Sequence, residues 1–328
     1  MNLLNFLTLD YLFKLDRMCK DLAQITTQSK FYHFCDYTSA FLLHGCSLNQ
    51  YSSGKFYALK EFERRQTVTF RRSFKIWESF HDPSYIHYFE NKVDFNRRFE
   101  KYISRDWVYS KDGSNAIREF LSHHDRFVLK PIDALQGKGV KCLNTKELNI
   151  EDFILQVKNE NVLLEEHIMQ HPKMVLENKS VNTIRVFTLL DKDGNVHILK
   201  TVLRAGKGDC IIDNFCAGGC LYAVDVKSGV VEERGIDQLG QRFLFHPGTE
   251  ICMLGFQIPN WEQLKKTVIE AAKVVPQCRY IGWDVAILEN GVSLIEGNHN
   301  PDHDLLEFVG YEKMFWKKIM QHCCPIKI

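Results

Sequence analysis

Apolar and polar positions along the chain fall into three textures. Through residues 1–90, Leu, Phe and Tyr recur at mixed three- and four-residue spacing, with few Gly or Pro before Asp82-Pro83, which predicts a helical region. From Asn91 two further helical patterns follow, NKVDFNRRFEKYI and SNAIREFLSHH, the second with Ser114 as its N-cap. Short β-branched runs then dominate: RFVLKPIDALQGKGVKCL, NVLLEEHI, SVNTIRVFTLL, VHILKTVLRAG and LYAVDVKSGVV, with turns at 191–194 and 227–229. WEQLKKTVIEAAKVV returns to helical spacing, with Asn260 as N-cap, Gln263 in the capping-box position and Pro276 as its stop. The pattern closes on the hairpin YIGWDVAILENGVSLIEGNHNP and a last helix to about His322.

That hairpin carries polar groups in an apolar setting. Its strands, 281–288 and 292–297, are rich in Val, Ile and Leu, yet they hold Asp284 and Glu296, with Asn298 directly after them. Glu296 and Asn298 are two apart and share a face. A two-residue Asn-Gly loop would pair Asp284 with Gly297 and put the acids on opposite faces. A three-residue loop with Gly291 in a left-handed bulge pairs Asp284 with Glu296. Two carboxylates side by side in a core repel unless a cation lies between them, so the bulged loop with a hard, oxygen-coordinated ion, Mg²⁺, is expected. The competing reading is a surface hairpin with solvated acids.

Composition narrows the class. A chain of 328 residues is long enough for two or three lobes sharing a cleft. The net charge of +1 gives no electrostatic case for nucleic acid. No apolar run reaches membrane-spanning length. Eleven cysteines behind a start that lacks a basic leader and a cleavage site point to a reducing, cytoplasmic setting. The group Cys210, Cys216 and Cys220 and the pair Cys323-Cys324 match no metal-binding spacing and read as small buried thiols.

Further candidates lie between the helices. Gly137-Lys138-Gly139 is neither a Walker A loop nor a dinucleotide fingerprint, yet glycines that bare backbone N–H groups, with Lys130 at the strand end, suit phosphates; an ordinary hairpin turn fits as well. Glu165 and Glu166 end an apolar strand, either as a solvated end or as acceptors for an amino group. Arg185 lies mid-strand and needs an acid or an anionic ligand, and Lys200 and Arg204 follow on the next strand. Asn214 lies in a loop with Gly218-Gly219. The basic cluster Arg64, Arg65, Arg71, Arg72 and Lys75 reads as a solvated helical face rather than an anion site.

In order, these pieces resemble the ATP-grasp superfamily, and within it the sugar-transfer-associated branch found with polysaccharide-assembly genes. The resemblance covers about 91–304, on the motifs VLKPIDALQGKGV, SVNTIRV and GWDVAILENGVSLIEGNHNP. It implies an α+β ATP-grasp fold: a helical region over 1–90, a small lobe with a phosphate lid over 91–179 and a large lobe over 180–328. It implies ATP and Mg²⁺. Lys92 and Lys130 would meet nucleotide phosphates, and Gln136, Gly137, Lys138 and Gly139 would form the lid. Glu165, beside Glu166, would accept from the adenine amino group, with His167 and Ile168 along the ring. Gln170 or His171 would stand in for the ribose acid, because the usual position is Pro172. Arg185 and Arg204, with Lys200, would hold the transferring phosphoryl group or an acyl phosphate. Asp284, Glu296 and Asn298 would hold one or two Mg²⁺. His299 and His303 are candidate bases, each equally readable as structural, and His246 is placed near the acceptor. The implied reaction joins a carboxylate to an amine, such as an amino acid to a sugar. A kinase using the same site and a non-catalytic nucleotide-binding module are the alternatives, and the oligomeric state is open.

Overall fold

A computed structural model describes residues 8–132, 138–176, 180–208, 218–237, 240–303 and 315–321. The chain divides into two compact units, one formed by the first 79 residues with those from Asp302 onward, the other by Phe80–Pro301. The C-terminal helix Phe315–Gln321 therefore folds with the N-terminal helices, where the Trp316 amide donates to the Gln66 carbonyl.

The first unit is helical, as the periodicity predicts. Helices Leu9–Ile25 and Lys30–Ser39 start at Thr8 and Ser29, whose hydroxyls accept the amides of Tyr11 and Tyr32. They close on a core that includes Leu15, Cys19, Leu22, Tyr37, Tyr51 and Phe56. The basic cluster divides: Arg65, Arg71 and Lys75 are exposed, as a solvated face would be, whereas Arg64 is buried and Arg72 half-buried. Arg64 forks onto Asp36 with two contacts of 2.8 Å, Arg71 donates to the carbonyls of Phe41 and Leu42, and Arg72 donates to those of Arg64 and Thr67. Arg64, Arg71 and Arg72 satisfy backbone carbonyls and a half-buried acid, a need that no sequence pattern reveals.

The second unit holds two antiparallel sheets. The smaller comprises β1 (Trp107–Tyr109), β2 (Arg126–Pro131), β3 (Lys141–Asn144) and β4 (Val162–Glu166), in the order β1-β4-β2-β3. Helices Ser114–His123 and Ile150–Val157 bury Ile117, Phe120, Leu121, Phe153 and Ile154 with Phe127, Leu129 and Leu164 of this sheet. Ser114 begins its helix rather than capping it; the cap position is Gly113, at φ 103°. The larger sheet comprises β5 (Thr183–Leu190), β6 (Val196–Ala205), β7 (Cys220–Val224), β8 (Gly235–Asp237), β9 (Arg242–Phe243), β10 (Tyr280–Leu288) and β11 (Gly291–Asn298), in the order β11-β10-β5-β6-β7-β8-β9. β5 is buried along its whole length, which accounts for its unbroken β-branched and apolar sequence.

The hairpin β10–β11 pairs Asp284 with Glu296, but by a different route from the expected loop. The turn is Glu289-Asn290, with Leu288 opposite Gly291, and the extra residue lies further along, at Ile295, where a bulge restores the pairing of the acids. A second bulge leaves Leu199 unpaired beside Lys200. Helix Trp261–Ala271 forms as predicted, but Asn260 does not cap it. Asn260 sits at φ 53° and its amide donates instead to the carbonyls of Leu288 (2.8 Å) and Gly291 (3.2 Å), holding the hairpin turn. Behind β11, a Cβ on Gly297 would lie 3.0–3.1 Å from Phe89, Phe95 and Trp283, so a side chain there would collide with the core. Among the described residues no helix is long and apolar enough to cross a membrane, and the described cysteines form no disulfide.

Candidate functional site

Strand parity gathers one set of charges on one face of the larger sheet. Asp284 lies opposite Arg185 on one side and Glu296 on the other. Arg185 lies opposite Val202 on β6, and Lys200 and Arg204 flank Val202 two residues either way, on the same face. Asn298 lies opposite Gly282, and a Cβ on Gly282 would meet Pro301 at 2.6 Å and the Arg185 chain at 3.3 Å, so glycine is what lets these groups close over the strand. Three cations and two acids thus share a face, with Arg185, Lys200, Arg204 and Asp284 buried.

Arg185 and Arg204 hold Asp284 directly. Arg185 donates through Nε (2.5 Å) and Nη2 (2.9 Å), and Arg204 through Nη1 (2.6 Å). The positive charge that buried Asp284 needs is therefore supplied in the first place by guanidinium groups. Burial alone would raise the Asp284 carboxyl, but the Arg185 and Arg204 charges outweigh it and hold the group well below the usual carboxylate range. Glu296 differs. It is exposed, and it is displaced upward, by its crowded surroundings and by the Asp284 charge opposite. Because solvent reaches it, the Asp284 charge is the weightier cause. Asn298 donates its amide to Glu296 Oε1 at 3.1 Å, and turning that amide over would present its oxygen. An accessible carboxylate, a second carboxylate opposite and a carboxamide two residues on form an all-oxygen set that fits a hard divalent cation.

The smaller sheet builds a second, closed constellation around Glu165. This carboxylate, 2% exposed, accepts from Asn96 Nδ2 (2.9 Å) and Arg105 Nη2 (2.7 Å) on Oε1, and pairs through Oε2 with the Lys130 ammonium. Burial pushes Glu165 up, but Arg105 and Lys130 overcome it and hold it well below its ordinary range. Lys92 donates to the Ile132 carbonyl at 2.9 Å, which brings both lysines to the end of β2. Glu166 turns the other way, accepting the Asp106 amide, and Asp106, His124 and Glu166 lie within 4.8 Å of one another, a grouping that their own hydrogen bonds explain.

The remaining candidates spread out. Lys138 and Gly139 follow β2, with Gly139 at φ 74° and packed near Pro131. Gln136, Gly137 and Asn214 lie outside the described residues. The His167 amide donates to the Arg126 carbonyl and Ile168 is partly buried. Gln170 is engaged with the backbone of Ser180 and Asn182, and His171 with the Lys173 amide. His246 is buried, its Nδ1 2.8 Å from the Tyr222 hydroxyl. His299 approaches Glu90 at 3.3 Å. His303 belongs to the other unit, buried beside Phe315, where burial pushes it down to about 3.

Sequence reading missed Asn96 and Arg105. Asn96 is one turn from Lys92 on the same helical face, a signal present in the spacing. Arg105 precedes a three-residue strand, with nothing in its neighbourhood to mark it.

The profile of the family described as sugar-transfer associated ATP-grasp matches residues 72–321. No curated protein sequence matches the chain. Solved structures of similar fold include the ATP-grasp ligase PsnB with minimal precursor, Mg and ADP (16% identity, 68% of this chain and 54% of that one, TM-score 0.39). Others are N5-carboxyaminoimidazole synthetase from Staphylococcus aureus with ADP (9%, 72% and 52%, 0.45) and D-alanine-D-alanine ligase from Helicobacter pylori (15%, 71% and 58%, 0.39). The chain spans about half the length of each of these three.

Proposed function

Because the chain belongs to the sugar-transfer associated ATP-grasp family, we propose that it is an ATP-dependent carboxylate–amine ligase acting through an acyl phosphate. The observation that carries this reading is the charge balance on the larger sheet, where Arg185, Lys200 and Arg204 outnumber Asp284 and Glu296. A face with surplus positive charge suits an anionic substrate beside the phosphates of ATP; a kinase acting on a neutral hydroxyl has less need of it.

In this reading the smaller sheet holds the nucleotide and the larger sheet the reacting groups. Lys92 and Lys130, at the end of β2, would turn to the phosphates, with the 136–139 loop above them. Glu165 keeps one lone pair on Oε2 beyond its Lys130 contact, enough to accept one N–H of the adenine amino group. His167 and Ile168 would lie along the ring, and Gln170 or His171 near the ribose. Asp284, Glu296 and Asn298 would hold Mg²⁺, which supplies charge neutralisation at the β- and γ-phosphates. A substrate carboxylate oxygen attacks the γ-phosphorus and ADP leaves; the amine nitrogen then attacks the acyl carbon, phosphate leaves, and the amine gives up a proton. Arg185, Arg204 and Lys200 would hold the anionic acyl phosphate, and His299 is the nearest candidate base in sequence. Asn214 and His246 would lie on the acceptor side. The family description favours a sugar or sugar precursor as one partner.

The test is a screen of carboxylates with amines for ADP release, with hydroxylamine replacing the amine. ADP and inorganic phosphate should form together with a hydroxamate, and Arg204→Ala should impair that step more than it weakens ATP binding. A stable phosphorylated alcohol with no free phosphate would decide for a kinase.

A further inference from the structure

Arg105 touches both constellations. Its side chain is 1% exposed. Through Nη2 it pairs with Glu165 on β4, and through Nη1 it donates to the Leu294 carbonyl at 2.6 Å, with the Ile295 carbonyl 3.4 Å from Nη2 and the Ser293 hydroxyl 3.4 Å from Nη1. The neighbouring Ser104 adds two more contacts, its amide to Ser293 Oγ (3.0 Å) and its hydroxyl to the Val292 carbonyl (3.2 Å). The carbonyls that Arg105 meets belong to the bulge of β11, where Ile295 is the residue without a cross-strand partner. Running on from the turn without that bulge, the pairing would set Ile295 opposite Asp284 and turn Glu296 to the core side.

We propose that Arg105 is a positioning residue: its planar fork fixes the Leu294–Ile295 bulge so that Glu296 faces Asp284, and ties that bulge to the nucleotide-side acid Glu165. A guanidinium suits this because it presents several N–H donors in one rigid plane, to a carboxylate and to backbone carbonyls at once; an ammonium is a compact charge that cannot span the same set. Arg105 thereby links the holding of the base to the presentation of the metal carboxylate without touching either ligand. This rests on the nucleotide and Mg²⁺ reading of the site.

The test uses the full chain, Mn²⁺ as the metal probe followed by electron paramagnetic resonance at saturating ADP, and ADP affinity by calorimetry. Arg105→Lys should bind Mn²⁺ about 10–100-fold more weakly, the usual scale for removing a group that orients a metal ligand. Glu165→Gln breaks the same ion pair but leaves the bulge contacts, so it should weaken ADP while Mn²⁺ affinity at saturation stays within twofold. If Arg105→Lys does not fold, Arg105→Gln with Glu165→Gln removes both buried charges together, leaves only the partly exposed Lys130 to be solvated, and should show the same Mn²⁺ loss. Unchanged Mn²⁺ affinity in the Arg105 variants overturns the proposal, and so does an equal loss in Glu165→Gln, which would mean that Arg105 acts only through general stability. Wild-type protein that takes up no ADP would instead overturn the nucleotide reading itself.

Discussion

Glu165 and Asp284 are both buried acids at the end or middle of apolar strands, and each is held by two cations. Their settings differ in what faces them. Glu165 is met only by donors, so its charge is fully compensated from within the fold. Asp284 is compensated as well, yet a second carboxylate, Glu296, stands opposite it and is open to solvent. The fold leaves Glu165 one lone pair on Oε2, whereas in the other constellation it leaves a whole carboxylate, Glu296, to something from outside. An ion pair alone therefore does not distinguish a structural acid from a functional one, whereas an accessible acid beside a satisfied one does.

The strongest way to break this contrast is to neutralise the two acids of the larger sheet separately. Asp284→Asn strands two buried guanidinium groups and should cost about 3–5 kcal/mol in chemical denaturation of the metal-free protein. Glu296→Gln removes a repulsion and should leave stability unchanged or raise it, while abolishing ADP formation. Equal losses would mean that the two acids form one structural pair. Neutralising Asp284 brings no relief of that repulsion, because Arg185 and Arg204 already claim it.

The pH dependence sharpens the other half. Glu165 has a lowered pKa in the folded chain, so its stabilisation is complete above the unfolded value near 4.5 and drains away as pH falls below it. Denaturation midpoints between pH 6 and 3 should fall more steeply for the wild type than for Glu165→Gln, by at most about 1.4 kcal/mol per pH unit. A parallel pair of curves would mean that Glu165 gains nothing from its cations.

Two smaller changes probe the frame of the acid hairpin. Gly297→Ala presses a methyl group against Phe89, Phe95 and Trp283 and should cost about 1–3 kcal/mol, read as a lowered melting temperature. Asn260→Ala removes the donor shared by the turn carbonyls and should cost about 1 kcal/mol, with faster hydrogen exchange confined to the hairpin.

Much of this architecture is legible in the residues. The alternation of apolar runs and turn signals marks the longer strands of both sheets but not the short β1, β8 and β9, and the position of Arg185 within a β-branched run announces a buried partner. The identity of that partner, Asp284 rather than a ligand, needed the cross-strand register. The pairing of Asp284 with Glu296 came out as expected for the wrong local reason, because a bulge at Ile295 does what a wider turn at Gly291 was expected to do. Asn260 looks like a cap because asparagine before a helical run usually is one; the unmet carbonyls of a turn 28 residues away outbid that local role. Arg105 stayed hidden because its partners lie 60 and 189 residues further on, and neighbouring sequence records no such distances.

The two bulges also set how this protein tolerates change. Lys200 and Glu296 each stand next to a residue that has no opposite number, Leu199 and Ile295. Strands count their residues in odd and even, and each bulge resets the count just before a charged side chain is presented. Gaining one residue between the turn and Glu296, with the bulge kept, would set Ile295 opposite Asp284 and turn the acid to the other face, whereas losing one would let the strand pair without a bulge and still bring Glu296 to Asp284. For this hairpin, insertions are therefore the more damaging class of change: a point substitution alters one group, and a deletion can be absorbed by the bulge, while a one-residue gain exchanges the chemistry of two faces.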